Sequence, residues 1–333
     1  MRVANFINKH LIALLMGVIC LGLFLGYLYP ESGKRLEIFY PLTLFIMLFP
    51  MMVTIKISEV VKASKRLGFM TVVTFLNYIV SPLLAALLGY IFLSGYPDFA
   101  IGLIINGTVP CGGMIVAWTA MSRGNTPLTL VIVVISLLAG ILLIPFWIWA
   151  LAGKYVPVDP WNMLHTIFYT IVVPLFLGNI TRIGIIRKWG REKFDELKSV
   201  FSAVSALGFF AVFFIAMMSQ SEVLLKNPQY LGIVTLPLIV FYVLLLGATI
   251  LYAWFARINY PDMVSLFYGV NAKNASIALA LAVVFFSPLT VLILAVKPVV
   301  QVIFMTIFYK ISPYLQEYWV KVSNPSSSKC VKT

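Results

Sequence analysis

Asn106 to Trp118 reads NGTVPCGGMIVAW, which sets a proline and three glycines inside an apolar run long enough to cross a bilayer. A helix cannot pass straight through such a stretch. Pro110 has no N–H to donate and its ring clashes with the preceding turn, while Gly107, Gly112 and Gly113 permit backbone angles that other residues resist. Broken backbone at membrane depth survives only where protein or a water-lined cavity satisfies the freed groups. Asn106, Thr108 and Cys111 sit at the break, so polar side chains and unpaired peptide groups converge at one level. That is the composition of a mid-membrane substrate site. A packing kink would also account for it, because glycine and proline are common in membrane helices.

The rest of the chain decides the class. Of 333 residues, 62% are hydrophobic and 11% charged, and the mean hydropathy is +1.01; a soluble domain carries roughly a quarter charged residues. The chain reads as all-α and polytopic. Cys20, Cys111 and Cys330 are too few and too scattered for a disulfide framework or a zinc site. The net charge of +13 resembles a nucleic-acid signal only until the basic residues are placed, since they fall between apolar segments. No nucleic-acid partner is expected.

Ten apolar segments follow, at about 10–30, 38–55, 69–95, 99–122, 127–151, 161–181, 200–219, 230–256, 263–286 and 289–311. Each is long enough for the ~30 Å hydrocarbon core at 1.5 Å per residue. The first lacks a small-residue cleavage site and reads as a retained helix. With the N-terminus inside, eighteen of the 24 lysines and arginines lie in cytoplasmic connections and four, Lys34, Arg35, Lys154 and Lys226, lie opposite. That bias predicts both termini in the cytoplasm and a multi-pass protein of the cell membrane.

The ten spans fall into two sets of five at about residue 155, and the longest basic connection, Arg182 to Ser199, follows the sixth span. Five is odd, so related halves must be inverted relative to one another, as in many secondary transporters. The first repeat is expected over about 1–155 and the second over about 156–315, in one transporter domain, with a disordered polar tail at 324–333. The fourth span of the second half should then be interrupted like the fourth span of the first. Gly269 to Ser276 reads GVNAKNAS, small and polar between LFY and IALALA. Paired interruptions at matching positions point to broken, crossing helices four and nine around a substrate site.

Pro110, Cys111, Met114 and Trp118, with Gly107 before them and Arg123-Gly124-Asn125 after, resemble the fourth helix of the arsenite efflux permeases. Tyr260-Pro261-Asp262 through Asn274 and Ile277-Ala278 is similar to that family's ninth-helix region. The wider bile acid:sodium symporter superfamily shares the layout. The resemblance implies an arsenite or antimonite efflux permease working by alternating access as an antiporter, with Cys111 matching a cysteine those permeases need. Together with the two interruptions themselves, this makes Asn106, Thr108, Cys111, Gly112, Gly113, Asn271, Asn274 and Ser276 the candidate substrate contacts.

The departures concern the cation. Where the arsenite permeases carry glutamates, this chain has Ser276 and, before Pro298, Lys297. Where the sodium-coupled relatives carry ligands, it has Val116, Ala117, Gly269 and Lys273. All eleven acids fall in loops or at span ends. Sodium independence is expected, with Lys273 and Lys297 as the coupling residues. An intramembrane charge costs at least about 2.5 kcal/mol and is retained for a partner or a task. Lys273 could replace a coupling sodium, carry a proton, or attract an anionic substrate; Lys297 could be structural. The alternative function is therefore transport of a small organic anion, a carboxylate or bile-acid-like molecule, with an intramembrane lysine replacing the sodium sites.

Asn77 and Ser81 read as helix-packing polar groups. Paired carboxylates or a serine–histidine pair at depth are missing, so an enzyme is not expected. No cofactor or resident metal is expected either; the partners are a small-molecule or metalloid substrate and the lipid bilayer, with the oligomeric state left open.

Overall fold

A computed structural model describes residues 6, 10–55 and 66–323. The connection at 56–65 and the tail at 324–333, for which disorder is expected, lie outside the described residues. The described chain is helical throughout. It begins with α1 (Leu11–Leu28), α2 (Pro30–Leu36) and α3 (Tyr40–Thr54), the last two joined by a 3-10 turn, Glu37–Phe39. α4 (Leu67–Phe75) runs through a π-helical turn, Leu76–Val80, into α5 (Ser81–Phe92). α6 (Pro97–Thr108) and α7 (Ile115–Met121) flank the quoted stretch and lead into α8 (Thr126–Ala152). Then come α9 (Pro160–Ile167), a second π turn (Phe168–Val172), α10 (Val173–Ser219), α11 (Ser221–Lys226) and α12 (Gln229–Phe255). α13 (Tyr260–Asn271), α14 (Ala275–Phe285) and α15 (Pro288–Ser323) complete the order.

Proline opens many of these helices. Pro30, Pro97, Pro160 and Pro288 sit at or next to the first helical position, where a missing N–H costs nothing. Six described helical stretches are long and apolar enough to cross a membrane. α10 is interrupted at Gly190, whose φ of 82° and ψ of 168° are not helical, so its 47 residues form two helices joined end to end. A φ of this sign is accessible to glycine at little cost.

The helices pack in two groups. α1, α2 and α3 lie against α10, and glycines make the approach close. A Cβ on Gly208 would meet the Met47 nitrogen at 2.5 Å, and one on Gly178 would meet the Met52 carbonyl carbon at 2.8 Å. Small residues serve membrane helices in this way because backbones gain van der Waals contact as they near each other. The second group gathers α4 to α8 with α12 to α15 around α6 and α13. The two groups touch where α14 meets α3 and α10 meets α15.

α6 and α13 start alike, with Tyr96-Pro97-Asp98 and Tyr260-Pro261-Asp262. Each aspartate reaches the residue that precedes the helix following the other break. Asp98 accepts the Ser287 hydroxyl, just before α15. Asp262 accepts Asn125 Nδ2 at 2.7 Å, just before α8, and also Arg66 at 2.6 Å and Asn259 at 3.1 Å. The ties are reciprocal, fixing the start of each broken helix to the residue that opens the helix after the other broken pair. Asp262→Ala strands the Asn125 and Asn259 amides, while half-exposed Arg66 falls back on water. The expected loss is roughly 2–4 kcal/mol, read as a larger drop in melting temperature than Asp98→Ala produces. Equal drops would show that the Asp262 network adds nothing beyond one bond.

Candidate substrate and coupling site

Both interruptions are real gaps in helix geometry, and they meet. After α6, Val109 is extended (φ −73°, ψ 151°) and helix resumes only at Ile115. After α13, residues 272–274 are non-helical until Asn274 caps α14, its Oδ1 accepting the Ile277 N–H at 3.1 Å. Gly112 N–H donates to the Ala272 carbonyl at 3.0 Å and Asn274 N–H to the Pro110 carbonyl at 2.8 Å. Cys111 and Lys273 thus face each other across a one-residue antiparallel bridge. Pro110 explains the asymmetry of roles: it has no N–H, but its carbonyl is available.

A broken helix leaves carbonyls without their usual donors, and in an apolar interior each must find another. Here side chains supply them. The Gly107 carbonyl accepts Ser81 Oγ at 2.7 Å and Lys273 Nζ at 3.4 Å. The Gly269 carbonyl accepts Asn77 Nδ2 at 2.9 Å. The Lys273 carbonyl accepts Lys297 Nζ at 2.8 Å. Asn77 and Ser81, at the π turn between α4 and α5, so attend one freed carbonyl on each broken helix.

Lys273 is 1% exposed and Lys297 0%. The Lys273 ammonium lies 2.8 Å from Asn77 Oδ1 and 3.4 Å from the Asn77 and Gly107 carbonyls. These three oxygens come from two different helices and form a small acceptor cage filled by the amine. Among the described residues neither lysine pairs with a carboxylate.

The other sequence candidates separate by burial. Asn106, Thr108, Cys111, Asn271 and Asn274 are buried. Thr108 Oγ1 bonds back to the Ile105 carbonyl at 2.9 Å, and Asn271 Nδ2 reaches Thr249 Oγ1 at 3.2 Å and the Phe267 carbonyl at 2.9 Å. Among the described residues Asn271 Oδ1 has no hydrogen-bond partner. The Cys111 thiol lies 3.0 Å from Ser136 Oγ, whose residue carbonyl accepts the Tyr78 hydroxyl. Gly112 and Ser276 are half-buried, Gly113 is exposed, and Met114 is 57% exposed. The accessible rim of the junction is therefore Gly112 to Met114 with Ala275 and Ser276, and the thiol points away from it into the core. Among the described residues no group of three His, Cys, Asp or Glu side chains could hold a metal ion.

Asn77 and Ser81, read from the sequence as packing groups, bond the freed carbonyls, while Ser136 and the paired Tyr-Pro-Asp starts are the elements that sequence reasoning passed over. The repeated tripeptide was a readable signal for the last of these. Nothing along the chain indicated that Ser136 would meet Cys111.

Residues 41–227 match the sodium bile acid symporter family. The chain is 24% identical over 343 residues to the arsenical-resistance protein Acr3 of Alkaliphilus metalliredigens, covering 96% of each chain. It is 22% identical over 304 residues to the arsenical-resistance protein Acr3 of Corynebacterium glutamicum, covering 84% of this chain and 80% of that one. It is also 24% identical over 273 residues to the uncharacterized sodium-dependent transporter YocS of Bacillus subtilis, covering 80% of each. A multi-pass helical chain, two helices broken at depth and a family match over more than half its length agree: this protein is a membrane transporter belonging to the sodium bile acid symporter family.

Proposed function

We propose that the chain is a sodium-independent secondary transporter that exports trivalent arsenic or antimony by alternating access. The observation that carries this reading is the place of Cys111: a soft sulfur ligand built into the junction of the two broken helices, where movement of one helix group against the other would uncover it. Two relatives named for arsenical resistance support the substrate class. The ten-span, inverted-repeat architecture belongs to this proposal, supported by the matched helix starts and the reciprocal aspartate ties. So do the cell-membrane location and cytoplasmic termini, supported by the basic connections. Sodium independence is supported by the acceptor cage at Asn77 and Gly107, which the Lys273 ammonium already fills. The organic-anion alternative is weakened by the same bonds, since both ammonium groups are buried and engaged by carbonyls.

Cys111→Ser keeps the volume and the partner at Ser136 but replaces sulfur with oxygen. In everted vesicles this variant is expected to lose antimonite uptake while its melting temperature stays that of the parent. Normal uptake by the variant would remove the metalloid assignment through this residue.

A further inference from the structure

One cavity lined by described residues is away from the thiol. It has a volume of ≈ 620 Å³ and lies between the two helix groups, walled by the Glu37 turn and α3 on one side and by α14 and the start of α15 on the other. Pockets that enclose a drug-sized ligand span roughly 300–1,000 Å³. Four aromatic side chains line it, Tyr40, Phe45, Tyr169 and Phe286, and Glu37 is its one acidic residue; the rest of the wall is aliphatic or proline. No lysine, arginine or histidine is among the described lining residues. Glu37 opens the 3-10 turn through which α2 continues into α3 on helical backbone, it is half-buried, and no ion pair to it is present among the described residues.

We propose that this cavity binds an organic cation, a substituted ammonium or phosphonium, with Glu37 as its counter-charge and the aromatic rings as its walls. Ring faces carry negative quadrupole density and attract a cation whose alkyl or aryl groups also bury against them. A carboxylate beside those faces completes a cation site, and it repels an anion of the same shape. An acyl chain from the bilayer would fit the aliphatic wall but would leave Glu37 without a partner. The proposal is independent of the metalloid reading, because Cys111 takes no part in it.

The test uses the full-length protein in detergent and two probes of matched shape and opposite charge, tetraphenylphosphonium and tetraphenylborate, measured by equilibrium dialysis against protein-free micelles. The phosphonium is expected to bind at least ~10-fold more tightly than the borate. Glu37→Gln should erase that preference, whereas Glu222→Gln, an exposed carboxylate paired with Lys226, should keep it. Tyr169→Ala, on the exposed rim, should weaken phosphonium binding and spare folding, which guards against a Glu37 variant that fails to fold. Equal binding of the two probes, preference for the borate, or a preference that survives Glu37→Gln would overturn the proposal. So would a co-purified phospholipid that the phosphonium does not displace.

Discussion

Lys273→Ala is expected to stop transport and to lower the melting temperature sharply. Among the described residues the amine is the only donor reaching Asn77 Oδ1 and the second donor on the Gly107 carbonyl. Its removal strands a buried acceptor at roughly 1–3 kcal/mol and opens a cavity that adds to the loss. The combined effect is on the order of 3–5 kcal/mol, a large part of the stability of any fold. Function falls further than stability, because the amine links α4 and α6 to the second break, and a loose junction cannot be carried intact between two states. Lys273→Arg should not rescue it, since the planar guanidinium needs a wider, flatter site than a cage fitted to one ammonium. Lys273→Gln should restore folding in part and leave room for a monovalent cation among the same oxygens. In proteoliposomes with imposed gradients, the parent should ignore sodium and the glutamine variant should respond to it. Sodium-driven transport by the parent, or an alanine variant that works normally, would refute the tethered-cation role.

Gly208→Leu should be the most destructive change for folding. A Cβ at this position would stand 2.5 Å from the Met47 nitrogen and 2.8 Å from the Ile46 carbonyl carbon. Those atoms belong to backbone and cannot rotate away, so α3 and α10 must part along their contact. Overpacking ordinarily costs about 1–3 kcal/mol, and a clash with main chain belongs at or above the top of that range. Gly232→Leu is the control, because a side chain there meets nothing within 4 Å. Fluorescence-detected size exclusion after membrane extraction should show a monodisperse peak for the control and aggregate for Gly208→Leu. A monodisperse Gly208→Leu protein would mean that this interface is open enough to admit the side chain.

The positions of both breaks were legible because proline, glycine and amides inside an apolar run contradict a straight helix wherever they occur. Facing was not. Cys111 and Gly113 are two residues apart at one level, yet one is buried against Ser136 and the other lies open. A broken helix has no fixed angular period from which that difference could be read. Lys297 illustrates the complementary limit. Its presence in a span announced a partner, but the partner is the carbonyl of Lys273, a main-chain group that no residue type reveals. Asn77 and Ser81 looked like packing groups because each is ordinary in a membrane helix, and only the π turn and the two neighbouring breaks turn them toward freed carbonyls.

The bridge between the two breaks is made of peptide groups on both sides, Gly112 with Ala272 and Pro110 with Asn274. Such a join does not depend on which side chains flank it. Gly113, Met114, Ala275 and Ser276, which line its accessible rim, can be exchanged without untying it. Exchanges at those positions are expected to leave the bridge intact, whatever they do to the cargo. Saturation mutagenesis of those four positions is a route to transporters for new molecules on an unchanged scaffold.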